Sequence, residues 1–518
     1  MNQTLLIFQR LSSGRRADLV ALLSGAATPL AFAPLKWWPL AIIGPALLFA
    51  LWLFADLRGA TRRGALFGMG FFGVGISWVF ISIYYHGYVS LPLSLFLTLL
   101  LVMVMALFPA LLGYLIARFF PSRFDKRYVR LKLLLVIPAA WVIMEWVRGW
   151  FMTGFPWLSL GYSQTDTLLA GWASWVGVFG LSWIVALNAA LLVALFFDRA
   201  GRPWYALGLL VIWLLAWPMD KYYWTDPTGT PIKAALLQGN VSQDLKWSPD
   251  SRLPTIQLYT ELTRQHWNAD LIIWPETALP AFYDEVEPFL DDLEQEARQH
   301  DTDILIGLLS HGQDKHSYYN TMVALGPDSS EGRGMYHKNH LVPFTEYLPL
   351  KWLLGNLVNF MQVPMSDFSR GGHYQKPLAV AGQRAGISIC FEDVFGEEMI
   401  RALPDATFLV NVSNDAWFDN SWAPPQHLQM ARMRALETER PMLRATNTGI
   451  TAIIDAKGRE LTRVPQFEIA VATATIQPRS GMTLYAITGN WLIVTLVSIL
   501  LVLAWRLRKH RQMAVESQ

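Results

Sequence analysis

The only cysteine of the chain, Cys390, stands where an apolar run turns abruptly polar. Residues 385–389 are apolar or small, and Glu392 and Asp393 follow the thiol closely. A lone cysteine is often a small buried hydrophobe, but this change of polarity favours a nucleophile presented at the end of a strand. With one thiol, neither an intrachain disulfide nor a cysteine-based metal cluster can form.

Two other charged residues also follow short apolar runs. Glu276 comes after residues 269–274 and Pro275, which cannot continue a strand ladder, and a carboxylate beside apolar groups suits a general base. Lys338 lies in a polar stretch before a loop, where an ammonium group could hold negative charge developing on a carbonyl oxygen. Taken alone, Glu276 fits a surface loop residue better than a base, and Lys338 also fits a solvated lysine. We expect the backbone N–H of Phe391 to contribute to the same oxyanion site.

The segment from about residue 229 to 478 has the pattern of an α/β domain. Short β-branched runs alternate with amphipathic stretches, which indicates helices covering a sheet whose strands are buried on both faces. The predicted strands are residues 232–237, 270–274, 303–309, 321–325, 385–390 and 407–412, and the predicted helices are 251–266, 285–300 and 427–440.

The rest of the 518-residue chain is typical of a membrane protein. Hydrophobic residues make up 53% of the sequence, and the mean hydropathy is +0.28. A bilayer core is crossed by roughly 20 apolar residues in a helix. Eight runs approach this length: residues 17–35, 38–55, 64–84, 91–117, 131–146, 171–197, 203–218 and 490–505. The net charge of +2 gives no indication of a nucleic-acid partner.

Basic residues gather in alternate loops between these runs, whereas the opposite loops carry only Lys36 and Arg148. By the positive-inside rule both termini are cytoplasmic and the α/β segment lies outside, in the periplasm of a bacterium with two membranes. The first run is predicted to be an uncleaved helix rather than a signal peptide, since Pro34 would follow the cleavage point. Glu145 and Arg148, near the outer end of the fifth run, fit a functional role or an interfacial ion pair equally well.

Three blocks carry a family resemblance. Trp-Pro-Glu at 274–276, Lys338 before Leu-Val-Pro-Phe, and Cys-Phe-Glu at 390–392 resemble the Glu, Lys and Cys blocks of the nitrilase superfamily, in the same order. With membrane helices on both sides, nearly the whole chain resembles the apolipoprotein N-acyltransferase family of bacterial lipoprotein maturation. The resemblance implies an α-helical transmembrane bundle (1–220), a nitrilase-like αββα sandwich (228–480), a last transmembrane helix (488–507) and a cytoplasmic tail (508–518).

The resemblance also implies a reaction. Cys390 would attack the sn-1 ester of a phospholipid such as phosphatidylethanolamine, with Glu276 as general base and Lys338 stabilising the oxyanion. The resulting thioester would pass its acyl chain to the α-amine of the diacylglyceryl-cysteine of an apolipoprotein, which gives ping-pong kinetics. It implies no cofactor, no metal and a monomer in the bacterial inner membrane.

Supporting roles follow from the same resemblance. They fall on Glu346, which would orient Lys338, and on Glu392, Phe391, Trp247, Trp417 and Asn414. Core packing is the alternative for both tryptophans. The sequence departs from the common pattern at Phe391, where Tyr is frequent, and at Thr345, where Gly is frequent.

Residues 347–368 are too apolar for an ordinary exposed loop. A mobile arm that touches lipid, with Trp352, Leu354, Leu357 and Phe360 in contact, is one interpretation, and core packing is the other. Rival functions are a membrane-tethered amidase or nitrilase with water as acceptor, and a transporter or receptor with an external sensor domain. The few ionisable residues within the apolar runs disfavour transport.

Overall fold

The computed structural model describes residues 14–122, 125–312, 317–329, 332–349, 352 and 367–516. The chain forms two compact units, one made of Met1–Phe80, Pro92–Tyr222 and Thr488–Gln518 and the other of Ile81–Leu91 and Tyr223–Ile487. The first is the helical unit and the second the catalytic unit.

The helical unit follows the predicted apolar runs. Its longer helices are α1 (Gly14–Ala27), α2 (Leu40–Leu53), α3 (Leu57–Gly75), α4 (Leu91–Phe119), α5 (Ile137–Arg148), α6 (Ala173–Phe197), α7 (Arg202–Lys221) and the C-terminal helix Trp491–Glu516. Shorter helical turns join them, at Thr28–Ala31, Val79–Ile81, Ser82–His86, Lys126–Leu131, Lys132–Val136, Phe151–Thr153, Leu160–Gln164, Leu168–Trp172 and Arg199–Gly201.

Not every predicted span has the length to cross a bilayer. Within the described residues, four helices are long and apolar enough: Leu91–Phe119, Leu168–Phe197, Arg199–Lys221 and Trp491–Lys509. A fifth results if α3 and the following Val79–His86, bent by 60° against it, form one broken span. On α4, the side chains of Leu95, Leu107 and Leu111 are each more than half exposed. Such exposed leucines favour a lipid environment over an aqueous one. The prediction of eight spans stays a prediction.

Glu145 and Arg148 are buried inside the helical unit. Glu145 Oε1 accepts hydrogen bonds from Trp141 Nε1 at 2.8 Å and from the backbone N–H of Leu160 at 3.0 Å. Arg148 donates to the backbone carbonyls of Phe155, at 2.7 Å, and Trp157. Both charged groups therefore hold the segment that follows α5 against that helix.

Two six-stranded sheets form the centre of the catalytic unit. Their strands are β2 (Ile232–Gln238), β3 (Leu271–Ile273), β4 (Asp303–His311), β5 (Tyr318–Leu325), β6 (Met335–His337), β7 (Leu378–Val380), β8 (Gln383–Ile389), β9 (Phe408–Ser413), β10 (Met442–Thr446), β11 (Ala452–Ile454), β12 (Glu460–Arg463) and β13 (Ala470–Ile476). The first sheet has the order β13-β2-β3-β4-β5-β6, with β2, β3 and β4 parallel. The second has the order β12-β11-β10-β9-β8-β7, with β8, β9 and β10 parallel. A separate pair joins β1 (Thr225–Pro227) to β14 (Arg479–Gly481).

The apolar residues of these sheets form three layers of core. Side chains such as Ile273, Val410 and Leu443 pack between the two sheets. Helices α8 (Pro249–Arg264) and α9 (Tyr283–Gln299) cover the outer face of the first sheet, and α10 (Ala423–Thr438) covers that of the second. Every central strand is thus buried on both faces, and the predicted αββα sandwich is confirmed.

Candidate active site

The three predicted catalytic residues all lie within three residues of the end of a strand. Glu276 lies three residues after β3, Cys390 follows β8, and Lys338 follows β6. In open α/β sheets, ligands bind beyond the carboxyl ends of parallel strands, where turns present side chains that the sheet holds rigidly. The sandwich therefore brings residues 62 and 114 positions away from Glu276 in the sequence to one place.

Glu276 is buried, and both of its carboxylate oxygens are engaged. Oε1 accepts a hydrogen bond from Asn320 Nδ2 at 2.7 Å, and Oε2 accepts one from the backbone N–H of Asn414 at 2.8 Å. Gly307 of β4 makes room for this turn, since a Cβ there would lie 2.3 Å from the carbonyl oxygen of Pro275. The carboxylate is therefore held in one orientation by partners from both sheets.

The ammonium group of Lys338 lies between two carboxylates. Its Nζ is 2.8 Å from Glu346 Oε1 and 3.4 Å from Glu276 Oε1, and the side chain is 1% exposed. Burial alone lowers the pKa of Lys338, but Glu346, Glu276 and Cys390 outweigh it and raise that pKa well above the usual range. Lys338 is therefore a fixed positive charge in a dry site.

Cys390 adopts a left-handed backbone conformation, with φ of +54°. It begins the tight helical turn Cys390–Val394 and so lies just outside the strand that the sequence predicts to contain it. Burial and the Glu276 carboxylate raise the pKa of the Cys390 thiol, and Lys338 opposes them. The resting sulfur is therefore a thiol whose proton must be removed, and Glu276 and, more weakly, Asp415 are the carboxylates that raise its pKa.

Two more carboxylates hold the loops of the site together. Glu346 Oε2 accepts from the backbone N–H of Val342 at 2.7 Å while Oε1 holds Lys338. Glu392 accepts from the backbone N–H groups of Asn339 (2.6 Å), His340 (3.0 Å) and Ile389 (2.7 Å). Burial raises the pKa of Glu392 to about 7, and these N–H groups oppose that shift. Glu392 thus ties the Lys338 loop to the turn Cys390–Val394, named here the nucleophile turn after the predicted role of Cys390.

The other supporting residues occupy varied surroundings. Asn414 bridges Gln243, which accepts from its Nδ2 at 2.6 Å, and Asn447, whose Nδ2 donates to its Oδ1 at 3.1 Å. Trp417 packs edge-on against His86, with ring centroids 5.9 Å apart. Trp247 is 52% exposed, so core packing does not explain it.

The Phe391 ring packs against Phe395 and His340, with ring centroids 5.1 Å and 5.8 Å apart. On the predicted arm, Trp352 is exposed, whereas Leu354, Leu357 and Phe360 lie outside the described residues, so the arm stays a prediction. Over the part of the chain that the structure describes, no three His, Cys, Asp or Glu side chains are grouped to hold a metal ion.

Sequence reasoning did not find several residues that surround the site. Asn320 on β5 orients Glu276, and Lys246 donates to the backbone carbonyl of Glu276 at 3.2 Å. Burial lowers the pKa of Lys246 to about 8, with Glu276 opposing. In the sequence, the one signal for Lys246 is its position next to Trp247. The one signal for Asn320 is that it is a polar residue next to a predicted strand.

Comparison with known proteins finds family matches in both parts of the chain. Residues 24–191 match the apolipoprotein N-acyltransferase N-terminal domain, and residues 233–483 match carbon-nitrogen hydrolase. The apolipoprotein N-acyltransferase of Methylococcus capsulatus is 47% identical over 92% of this chain and 93% of its own length. That of Vibrio parahaemolyticus is 40% identical over 98% of this chain and 99% of its own.

Among solved structures, a carbon-nitrogen hydrolase from Helicobacter pylori aligns with 48% of this chain and 89% of its own, at 18% identity and a TM-score of 0.36. The sequence relatives, in contrast, extend over both units of the chain. The chain belongs to the apolipoprotein N-acyltransferase family.

Proposed function

We propose that this protein transfers an acyl chain from a phospholipid to the N-terminal α-amine of a diacylated apolipoprotein through a thioester on Cys390. The observation that carries the proposal is the buried Lys338 ammonium 3.4 Å from Glu276 Oε1, with both groups acting electrostatically on the single thiol of the chain. A base, a cation and a nucleophile are the parts that acyl transfer requires.

The first half-reaction forms the acyl-enzyme. Glu276 takes the thiol proton as Cys390 Sγ attacks the sn-1 ester carbonyl, and Lys338 with the Phe391 N–H stabilises the oxyanion. When the tetrahedral intermediate collapses, the ester C–O bond breaks and Glu276 returns the proton to the departing oxygen. A lysophospholipid leaves, and the acyl group remains on sulfur.

In the second half-reaction the acyl group leaves Cys390 for the amine. The α-amine of the diacylglyceryl-cysteine attacks the thioester, Glu276 accepts a proton from the amine, and the C–S bond breaks. The thiolate recovers a proton from Glu276, and an amide is the product. Glu346 maintains the position of Lys338 throughout, because its other oxygen is fixed to the backbone of Val342.

The proposed setting is the bacterial inner membrane, with the catalytic unit in the periplasm and a monomer that uses phosphatidylethanolamine as donor. Two features support it. Long helices with exposed leucines precede and follow the catalytic unit. Basic residues gather in alternate loops of the sequence, and by the positive-inside rule this pattern supports a location of residues 223–487 outside the cytoplasm.

Intact-protein mass spectrometry tests the proposal. Full-length protein in detergent is incubated with phosphatidylethanolamine of defined acyl chains and then with a diacylated lipopeptide. We expect one acyl group on Cys390, discharged by the lipopeptide and absent from Cys390→Ala. Discharge by water at the same rate would instead indicate a hydrolase, and transfer by the Cys390→Ala variant would refute the thioester.

A further inference from the structure

Four charged side chains meet beneath the nucleophile turn: Asp393, Asp415, His427 and Arg444, named here the buried charge cluster. His427 Nε2 is 2.8 Å from Asp393 Oδ1, and its Nδ1 is 3.2 Å from Asp415 Oδ1. Arg444 reaches Asp393 Oδ2 at 3.2 Å and Asp415 Oδ2 at 2.9 Å. Each carboxylate therefore contacts both Arg444 and His427, and Arg444 Nη2 also lies 3.0 Å from His427 Nδ1. All four side chains are at most 4% exposed.

The cluster lies at the carboxyl ends of three parallel strands. In register, Ser388 of β8 faces Asn411 of β9, which faces Arg444 of β10. Side chains two residues apart share a face of a sheet, so the next row on this face holds Ser413 and Thr446. Cys390 directly follows Ile389, which pairs with Val412, the residue before Ser413. Leu409 and Met442 on this face pack against α10. The face that α10 covers thus changes from apolar to polar at the strand ends.

One chain of contacts runs from the cluster to the backbone of Cys390. Arg444 Nη1 donates to Asn411 Oδ1, and Asn411 Nδ2 donates to the Cys390 carbonyl oxygen at 3.2 Å and to Ser388 Oγ at 3.1 Å. With its oxygen bound by a guanidinium, the amide of Asn411 has one orientation, and its NH₂ group points at the nucleophile turn. A left-handed conformation at a residue with a side chain is uncommon and needs such support.

A second chain runs to the sulfur. Ser413 Oγ donates to Asp415 Oδ1 at 2.8 Å. Burial raises the pKa of the Cys390 thiol, and hydrogen bonding with Ser413 opposes that shift. A hydroxyl has one proton. While Cys390 is a thiol, the Ser413 proton lies in the hydrogen bond to Asp415. Once the thiol proton has left, the Ser413 proton can turn to the thiolate, because Arg444 and His427 still bind Asp415.

We propose that the buried charge cluster positions the nucleophile through two polar side chains, with Asn411 fixing the Cys390 carbonyl and Ser413 holding its sulfur and stabilising the thiolate. Asn411, Ser413 and the four charged residues are positioning residues in this scheme. The proposal rests on the proposed function in that Cys390 is taken as the nucleophile.

The sole cysteine makes the test direct, because any thiol reagent reports on Cys390 alone. The rate of alkylation by iodoacetamide is measured across pH on the full-length protein in detergent, with Cys390→Ala as the blank. In Ser413→Ala the thiolate loses a donor, so we expect about tenfold slower alkylation near pH 8 and a profile moved to higher pH. Ser413→Thr, which keeps the hydroxyl, should restore the profile.

The matched control is Thr446→Val. Thr446 is buried in the same row one strand further, and its hydroxyl bonds to Thr451 at 3.0 Å. We expect it to alkylate as the wild type does. Asn411→Ala should lower kcat for acyl-enzyme formation about tenfold while KM for phospholipid stays the same.

An unchanged alkylation profile in Ser413→Ala would overturn the proposal. If the thermal midpoint of that variant fell at the same time, Ser413 would have a structural role alone. Alkylation requires no turnover, so these results are independent of the proposed function. That function fails instead if Cys390→Ala still transfers acyl groups.

Discussion

Two groups of buried charges lie near the same sulfur, and they differ in charge balance. Around Lys338, one ammonium group meets two carboxylates, those of Glu276 and Glu346. In the buried charge cluster, two carboxylates meet a guanidinium and an imidazole. The Lys338 group has a carboxylate in excess, and that carboxylate is the proposed base.

The difference suggests a division of work between the two groups. A carboxylate that is not fully compensated can accept a proton during the reaction, whereas charges that neutralise each other inside a protein resist any change. We therefore expect substitutions in the Lys338 group to act mainly on rate, and substitutions in the buried charge cluster to act on stability as well as on the thiol.

Arg444→Met should give the largest effect on stability. It leaves Asp393 and Asp415 with His427 as their one remaining cation in the cluster, and breaking a buried pair by removing one partner costs about 3–5 kcal/mol. The free energy of unfolding of the detergent-solubilised protein measures this loss. A second change, Asp415→Asn, should recover part of it, and a double variant no more stable than Arg444→Met would contradict the charge argument.

Lys338→Met should mainly lower the rate of acyl-enzyme formation rather than the stability of the protein. Loss of one group that stabilises an oxyanion lowers kcat by about 10²–10³-fold. The rate of acyl-enzyme formation by mass spectrometry measures it.

Lys457→Met is the matched control for Lys338→Met, because Lys457 also pairs with a buried carboxylate, Glu439, at 2.9 Å, and packs on the ring of Tyr223. If both lysine variants slowed the reaction equally, the catalytic role of Lys338 would be wrong.

The smallest expected effect is a pH dependence of stability. Burial and Arg444 oppose protonation of His427, but Asp393 and Asp415 outweigh them and raise its pKa from 6.5 to about 9. Because the folded state binds this proton more tightly, the contribution to stability is complete below about pH 6.5 and is lost as pH rises through about 9. The thermal midpoint should fall over this interval, and His427→Gln should flatten that part of the curve. An equal fall in the variant would refute the assignment to His427.

The sequence predicted most of the long elements and the chemistry at their ends, but it missed β13, which is as long as β2 and β8. The runs that became β2, β4 and β8 each contain at least four consecutive apolar or small residues, and a residue that breaks such a run is visible in one sequence. In contrast, β6, β7 and β11 have three residues each, too few for an alternation to be recognised. Their existence depends on pairing with neighbours distant in the chain.

The buried charge cluster escaped sequence reasoning for a related reason. Asp393 and Asp415 are ordinary acidic residues after strands, and His427 and Arg444 lie in a helix and a strand of mixed polarity. These four side chains come into contact only because of the register of β9 with β10 and the packing of α10 on the sheet. Glu276, Lys338 and Cys390 were found because short motifs around them resemble those of a family.

The hydrogen bond from the Asn414 amide to Glu276 has a consequence for how this site can diverge. A main-chain donor belongs to every amino acid except proline. Any other exchange at position 414 alters the neighbours Gln243 and Asn447 but leaves the base aimed at the same point. A saturation library at this codon should therefore tolerate most replacements and reject proline. An alanine substitution at position 414 keeps the main-chain donor, so by itself it would wrongly suggest that the position is unimportant.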